Sequence, residues 1–417
     1  MRAEDVAQYL QDNPQFFEGH TDLLTQIMLP HPHGGRTISL SERQMVALRE
    51  KNQGLEKKLP KFTRPPLPPG VNEIRISSNE NPLGPGQKVL DAIVRKFPEA
   101  GRYPFNSSPA DRNLVEELAG RYKVKGDQIT LGAGSQELLK SAVRAFTSTS
   151  KPLVTASPTF ENPTGTAKRL GHPIKEIKVD SAFKLDLDGM IAAAPGAGLL
   201  FFNNPNNPTA TVHGSKAVAE FVRRVRAASP DTAILIDEAY HEYVTDPSYE
   251  SAIPLALETP NVFVVRTFSK AYGMAGMRIG WAIGQAATIK QVARFKMPYN
   301  VSVFSVAAAL ASLGDPAHIE AERRRNTEAR DFTVKVLDEL GCKGTDSQGN
   351  FLFVNIGRPA RVFRDACAKD GVMVGRDFPP FESTHARISI GTMDEMRKAA
   401  DVFRAALKPI TTAGRDR

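Results

Sequence analysis

The chain has 417 residues, 41% hydrophobic and 24% charged, which is enough apolar material to bury a large core in more than one structural unit and excludes a disordered protein. Cys342 and Cys367 are the two cysteines, too few and too isolated for a disulfide framework or a structural zinc site, and they point to a reducing compartment. The net charge of +8 raises nucleic acid as a partner, but the basic clusters "FVRRVRAAS" and "AERRRNTEAR" fall in helical patterns, where charge marks a solvated face.

The opening "MRAEDVAQYL" lacks the apolar run of a secretory signal, and no stretch approaches the ~18 apolar residues of a membrane span. The expectation is a cytoplasmic protein with neither membrane nor nucleic acid as partner. Residues 1–59 predict a short helical arm. "EDVAQYLQ" and "TDLLTQIML" carry apolar residues at helical spacing, and "SLSE" over Ser39–Glu42 makes a capping box for a third helix. That helix carries Met45, Leu48, Asn52, Leu55 and Leu59 at alternating spacings of three and four, a seam that either pairs with a second copy or packs on the main body. Through "VAQYLQDNPQFFEGHTDLL", "LPHPHGG" and "SLSERQMVALREKN", the arm resembles the N-terminal helical region of a bacterial domain family of unknown function, read here as a fused or dimerising element. Residues 60–73 follow as a proline-rich, semi-rigid linker.

From residue 74 the pattern changes. Apolar runs such as "AGLLFFN", "AILIDEAY" and "NVFVVRTF" end in polar turns, and amphipathic segments such as "SQELLKSAVRAF" and "SKAVAEFVRRVRAA" intervene. Strand followed by helix, repeated, predicts an α/β fold with a mostly parallel sheet covered by helices, whose ligands bind at the carboxyl ends of the strands. The unusual polar residues sit at those ends. "ITLGAGSQELL" offers a glycine turn and a helix start to an anion, although such turns are most often only structural. "FFNNPNNPTATV" presents Asn206 or Asn207 from a backbone stiffened by two Asn-Pro units. "AILIDEAYHEY" closes a buried run with Asp237, Glu238 and Tyr240, and the two carboxylates are costly there unless a cation meets them. In "RTFSKAYGMAGMRIGW", Lys270 is either a surface residue or a desolvated amine suited to Schiff-base chemistry.

An amine, a buried acid, flanking donors and an anion cradle are the four requirements of pyridoxal phosphate. Residues 74–408 resemble a fold-type I aminotransferase of class I/II, in wording nearest to the histidinol-phosphate aminotransferase branch, through "SSNENPLGP", "RYPF", "GAGSQE", "SPTF", "NNPNNPTA", "IDEAY", "RTFSKAYGMAGMRIGW", "GNFLFV" and "RISIGT". The resemblance implies a large cofactor-binding domain over 106–299 and a smaller α/β domain from 74–105 and 300–417. It implies Lys270 as the residue that carries the cofactor aldehyde and shuttles the proton, Asp237 as the partner of the pyridine nitrogen, and Asn207 and Tyr240 as donors to the phenolic oxygen, with Lys270, Asp237 and Tyr240 forming the catalytic group. Phe160 matches a ring-stacking aromatic; Ser135 and Gln136 match backbone donors to the phosphate, and Thr267, Ser269 and Arg278 side-chain donors.

On the substrate side, Arg387 matches an arginine that binds an α-carboxylate or, for histidinol phosphate, the substrate phosphate; Asn350 and Arg376 match further substrate contacts. Phe378 and Phe381 either line an aromatic pocket or pack a loop. Tyr103 matches a tyrosine that reaches the cofactor phosphate of a neighbouring subunit, which implies a homodimer. The implied reaction moves an amino group from an amino acid or histidinol phosphate to a 2-oxo acid such as 2-oxoglutarate. Ala210, where glycine is usual, and Gln136, where an acid is common, depart from the pattern and leave a decarboxylase or an oxidase/hydroxylase on the same fold as the alternative. A sensor with an N-terminal effector domain is a third reading; the arm shows no recognition helix with a basic face.

Overall fold

The computed structural model describes residues 3–13, 16, 28–30, 37–39, 46, 74–104 and 109–407. The chain divides into two compact units, Met1–Pro66 and Leu67–Arg417. In the first, "AEDVAQYLQD" forms the expected helix, Ala3–Asp12. A short antiparallel pair follows, β1 (Met28–Pro30) against β2 (Thr37–Ser39), with Leu29 opposite Ile38. Met28 and Leu29 therefore end as strand where helical spacing predicts helix: Pro30 cannot continue a helix, and the β-branched pair Thr37-Ile38 supplies a strand to pair with. The third helix of the arm, apart from Val46, and the linker lie outside the described residues.

The second unit is built on strands of which the central ones are apolar on both faces, while its first strand and one edge strand carry exposed charged residues. After β3 (Ile74–Ile76) come β4 (Ile129–Ala133), β5 (Leu153–Ser157), β6 (Ile174–Lys178), β7 (Leu199–Asn203), β8 (Ala233–Asp237), β9 (Val262–Thr267) and β10 (Ile279–Gly284). Among the described residues β4–β10 form one seven-stranded sheet in the order β4-β10-β9-β8-β7-β5-β6. The β5–β9 block is parallel, and β10 runs antiparallel to both of its neighbours. Every residue of β7, β8, β9 and β10 is buried, because helices cover both faces, and this explains why these strands read as continuous apolar runs without alternation.

One core fills the space on one face of the sheet with Leu200, Phe202, Phe221, Ile234 and Trp281; another, on the opposite face, gathers Leu139, Leu199, Phe201, Leu235 and Phe263. The alternation of Leu199/Phe201 and Leu200/Phe202 between the two is the strand period made visible.

A separate core lies around β11 (Phe351–Asn355), β12 (Val372–Val374) and β13 (His385–Ser389), where β11 pairs antiparallel with β13 and β12 pairs parallel with β3. Helices Pro316–Glu339, Ala360–Lys369 and Met393–Leu407 pack on it through residues such as Leu337, Phe363 and Phe403. The helices Gln87–Arg95 and Val303–Leu313 do not join this core. They pack on one another, and Val89, Val306, Ala308 and Ala309 enter the first core instead, so the smaller core takes only the 74–76 strand and the chain from about Pro316 on, a narrower share than boundaries at 105 and 300 imply. Gln87–Arg95 is amphipathic and Val303–Leu313 is apolar along most of its length, and neither an apolar face nor an apolar helix specifies which core will cover it. Among the described residues no helix is long and apolar enough to cross a membrane.

Leu235 is wholly buried in the middle of β8. Leu235→Ala is expected to lower the unfolding free energy by about 2–5 kcal/mol, read as a displaced urea midpoint of the apoprotein with an unchanged slope; a change below about 1 kcal/mol would mean that the sheet core repacks freely.

Candidate active site at the carboxyl edge of the sheet

The register of the sheet brings its polar residues to one edge. Asn203 lies opposite Asp237, Thr267 opposite Gly280, and Ile279 opposite Ala133, so the ends of β4, β7, β8 and β9 and the start of β10 form a single row. Beside this row is a cavity of about 530 Å³, lined by Ser135, Gln136, Phe160, Asn207, Asp237, Tyr240, Thr267, Ser269, Lys270, Arg278, Arg376 and Arg387 among others.

One end of the cavity is an anion cradle. Gly134 has φ +72° and leads directly into the helix Ser135–Phe146, whose first amides have no partner within the helix. The Arg278 guanidinium is packed against this turn: Nη1 donates to the Ala275 carbonyl at 2.8 Å and to Ser269 Oγ at 3.4 Å. A Cβ on Gly280 would lie 2.5 Å from the Ser135 nitrogen, so close backbone approach requires glycine there; Gly134 is required by its positive φ, and a Cβ on it would lie 2.2 Å from Arg278 Nη2 and displace that side chain. Thr267 Oγ1 accepts from the Ser269 amide at 3.1 Å and donates to Ser269 Oγ at 2.9 Å, which holds both hydroxyls at the cradle.

The middle of the cavity holds the amine and the acid. Lys270 Nζ donates to the Ser78 carbonyl at 3.2 Å and lies 5.6 Å from the centre of the Tyr240 ring. Burial, and then the nearby Arg387 and Arg278 cations, pull its pKa down to about 8, which leaves a useful fraction of neutral amine near neutral pH. Asp237 is 2% exposed and accepts from the Ala239 amide at 3.2 Å. Burial pushes its carboxyl up to about 7, against the Ala239 amide and Lys270, so a cation placed beside it would be strongly held. Tyr240 Oη accepts from Asn79 Nδ2 at 3.0 Å, and burial pushes its pKa up to about 12, so at neutral pH it retains a proton to donate.

The far end is basic. Arg387 Nη1 donates to Asn207 Oδ1 at 2.7 Å and Nη2 to the Ser77 carbonyl at 2.6 Å, while the guanidinium lies 4.7 Å over the Phe378 ring. Its Nε is buried without a hydrogen-bond partner, and burial lowers its pKa to about 10. Since the carbonyl end of Asn207 is taken by Arg387, its amide nitrogen is the end left to serve as a donor. Arg376 lies 4.3 Å over the same Phe378 ring and pairs with Glu161; Arg364 pairs with Asp377 at 2.9 Å.

Asn350 and Tyr103 are not among the lining residues. Asn350 is fully buried and donates from Nδ2 to the Glu80 carbonyl at 3.4 Å, beneath the Ser77–Glu80 segment that does line the cavity. Tyr103 is 71% exposed, with its ring 5.3 Å from that of Tyr299. Phe381 packs edge-on against Phe183 at 5.2 Å, a loop contact outside the lining, whereas Phe378 stacks under two arginines. Sequence reasoning did not single out Asn79, Asn203 or Arg364. Asn79 stood within the quoted "SSNENPLGP" and was legible as part of a motif; Arg364 on its amphipathic helix carried no signal.

The amine, the buried acid and the anion cradle are arranged so that one pyridoxal phosphate could meet all three, with the buried guanidinium of Arg387, whose Nε lacks a partner, beside them. Comparison with known proteins agrees with that fit. Residues 71–403 match the family model described as aminotransferase class I and II, and residues 1–65 match that of a protein of unknown function, DUF484. The chain is 34% identical over 346 residues to a histidinol-phosphate aminotransferase of Moorella thermoacetica, covering 82% of this chain and 86% of that one. It is 33% identical over 340 residues to the enzyme of the same name from Akkermansia muciniphila, covering 80% and 90%. The crystal structure of histidinol-phosphate aminotransferase from Sinorhizobium meliloti in complex with pyridoxal-5'-phosphate superposes with a TM-score of 0.74 at 26% identity, covering 81% of this chain and 91% of that one.

Gly134→Ala is expected to weaken binding of pyridoxal phosphate to the apoprotein by about tenfold or more, because the new methyl both strains the left-handed turn and drives Arg278 off the helix start. Inorganic phosphate should lose its protection of the site in parallel; unchanged affinity for both would place the anion elsewhere.

Proposed function

The chain belongs to the aminotransferase class I and II family and is a pyridoxal-phosphate-dependent aminotransferase, and from that premise we propose that its amino donor is histidinol phosphate and its acceptor a 2-oxo acid such as 2-oxoglutarate. The observation that carries the donor is the basic end of the cavity, where Arg364, Arg376 and Arg387 converge. A phosphomonoester brings up to two negative charges and three acceptor oxygens, which suits several guanidiniums better than a single carboxylate does. The names of the relatives support the same donor.

When bound, pyridoxal phosphate supplies an aldehyde that takes up the donor's amino group and a protonated ring that accepts the electron pair of the broken C–H bond. The residues of the chain do the rest. In this reading the amides of Ser135 and Gln136 and the side chains of Thr267, Ser269 and Arg278 hold the phosphate. Asp237 holds the proton on the ring nitrogen as its buried counter-ion; Tyr240 and Asn207 donate to the phenolic oxygen, and Phe160 stacks on the ring. Lys270 Nζ, with its pKa drawn down to about 8, takes the proton from the donor's amine-bearing carbon. Arg387 anchors the donor's anion, with Arg376 helping, and Asn350 acts at one remove by supporting the segment at Glu80.

The cores on the two faces of the sheet read as a large cofactor-holding domain, and the core around β11–β13 as a smaller domain that brings Arg376 and Arg387 to it. A homodimer completes the reading: exposed Tyr103 is the residue that a neighbouring subunit's cradle would receive. Two cysteines, both free and buried, support residence in the cytoplasm.

Glutamate formation from 2-oxoglutarate tests the donor. Histidinol phosphate should support it, Lys270→Ala should abolish it, and Arg387→Ala should raise KM for histidinol phosphate by about ten- to a hundredfold. If an amino acid donates and histidinol phosphate does not, the donor assignment falls while the transaminase remains. For the dimer, sedimentation should give twice the chain mass, and Tyr103→Phe should lower cofactor affinity severalfold with that mass unchanged; a monomer with full affinity would refute the shared site.

A further inference from the structure

Behind the strand ends lies a second set of buried charges that the chemistry above does not use. Asp237 lines the cavity, and Glu238, next in the chain, is 1% exposed and engaged elsewhere. Its Oε2 accepts from Arg266 Nε at 3.0 Å, Arg266 Nη2 at 2.8 Å and Ser251 Oγ at 2.8 Å, and its Oε1 accepts from the Ala252 amide at 2.6 Å. Arg266 immediately precedes Thr267, is 7% exposed, donates to Tyr122 Oη at 3.3 Å and lies 5.9 Å over the Trp281 ring. A buried ion pair of this kind adds little stability over well-packed apolar residues, so its place one residue after the acid and one before the cradle calls for another reason.

We propose that Arg266 and Glu238 are positioning residues for the cofactor: their forked contact ties together the ends of β8 and β9, and Arg266 neutralises the carboxylate beside Asp237, so that Asp237 meets the ring nitrogen as an anion. The proposal rests on the role given to Asp237 above. Glu238 adds to the upward push that burial exerts on Asp237, whereas the Ala239 amide and Lys270 oppose it; Tyr240, from the turn after β8, is the other titratable group facing it. Around Arg266 stand Glu238, Tyr122, Glu242 and Tyr249. His241 Nδ1 lies 4.0 Å from Glu238 Oε2, and while Arg266 is in place burial and then Arg266 hold His241 down at about 3, so that it stays neutral beside the pair.

The two charges act on Asp237 with opposite sign. Arg266→Met leaves Glu238 unopposed and makes the Asp237 anion harder to form; Glu238→Gln leaves the cation and makes it easier. A purely structural role would move both variants the same way. The measurement is the affinity of the full-length apoprotein for pyridoxal phosphate across the neutral pH range, read from the visible band, with the acid-side midpoint as the quantity of interest. Relative to wild type, that midpoint should rise by about one pH unit in Arg266→Met, fall by about one unit in Glu238→Gln, and return close to wild type in the double variant. Shifts of the same sign, no shift, or a double variant as displaced as Arg266→Met would overturn the proposal; if Arg266→Met does not fold, the downward shift in Glu238→Gln and the near-neutral double variant carry the test. Asp237→Asn separates the two levels. Loss of the acid-side midpoint in that variant keeps the role of Asp237 and leaves the pair to be judged by its own variants, whereas an unaltered midpoint overturns both.

Discussion

The site depends on one constraint: a sheet buried on both faces carries charged and amide side chains at least cost where its strands end. Inside β7, β8 and β9 every residue is buried, and an unpartnered carboxylate or amide there would cost more than the sheet could return. At the carboxyl edge the backbone turns out of the sheet and the side chains meet a cavity instead of a helix. Register then does the rest, setting Asn203, Asp237 and Thr267 in a row against the cradle formed by Gly134 and Ser135. The antiparallel β10 belongs to this arrangement, because its first residues bring Arg278 to the same edge from the opposite chain direction.

Burial also sets the chemistry. The same loss of water that pushes the carboxyl of Asp237 up to about 7 pulls the amine of Lys270 down to about 8, and the two groups face one cavity with their charges poised near neutral pH. Arg387 feels the same desolvation and answers it with two hydrogen bonds and a stacked ring, keeping one N–H without a partner. These groups are stable as found only because each is partly compensated, and the compensation left incomplete is directed where a ligand can supply it.

Support for the lining comes from far along the chain. Asn79 reaches Tyr240 across 161 positions and accepts from Ser389 across 310. The segment around residues 77–80, which follows the first strand of the smaller core, is thereby held between the sheet edge and β13, and it carries the Ser78 carbonyl to Lys270 and the Ser77 carbonyl to Arg387. Positions of the Lys270 amine and of the Arg387 guanidinium are thus coupled through one short stretch.

Much of this was legible in the chain because strand, turn and functional side chain are contiguous. "AILIDEAY", "VVRTFSKAYG" and "ITLGAGSQE" each contain a buried run, its end and the polar residue that the end presents, so the local pattern alone located Asp237, Lys270 and the cradle at Ser135. The resemblance added roles that spacing could not. What the sequence left open depended on contacts between distant segments: which core would take the helices Gln87–Arg95 and Val303–Leu313, that Arg364 would reach the cavity, that Asn350 would stand behind the lining and not in it, and that Glu238 would find Arg266. An apolar face or a lone charge is satisfied equally well by many partners, and only the closing of the whole chain decides which one is within reach.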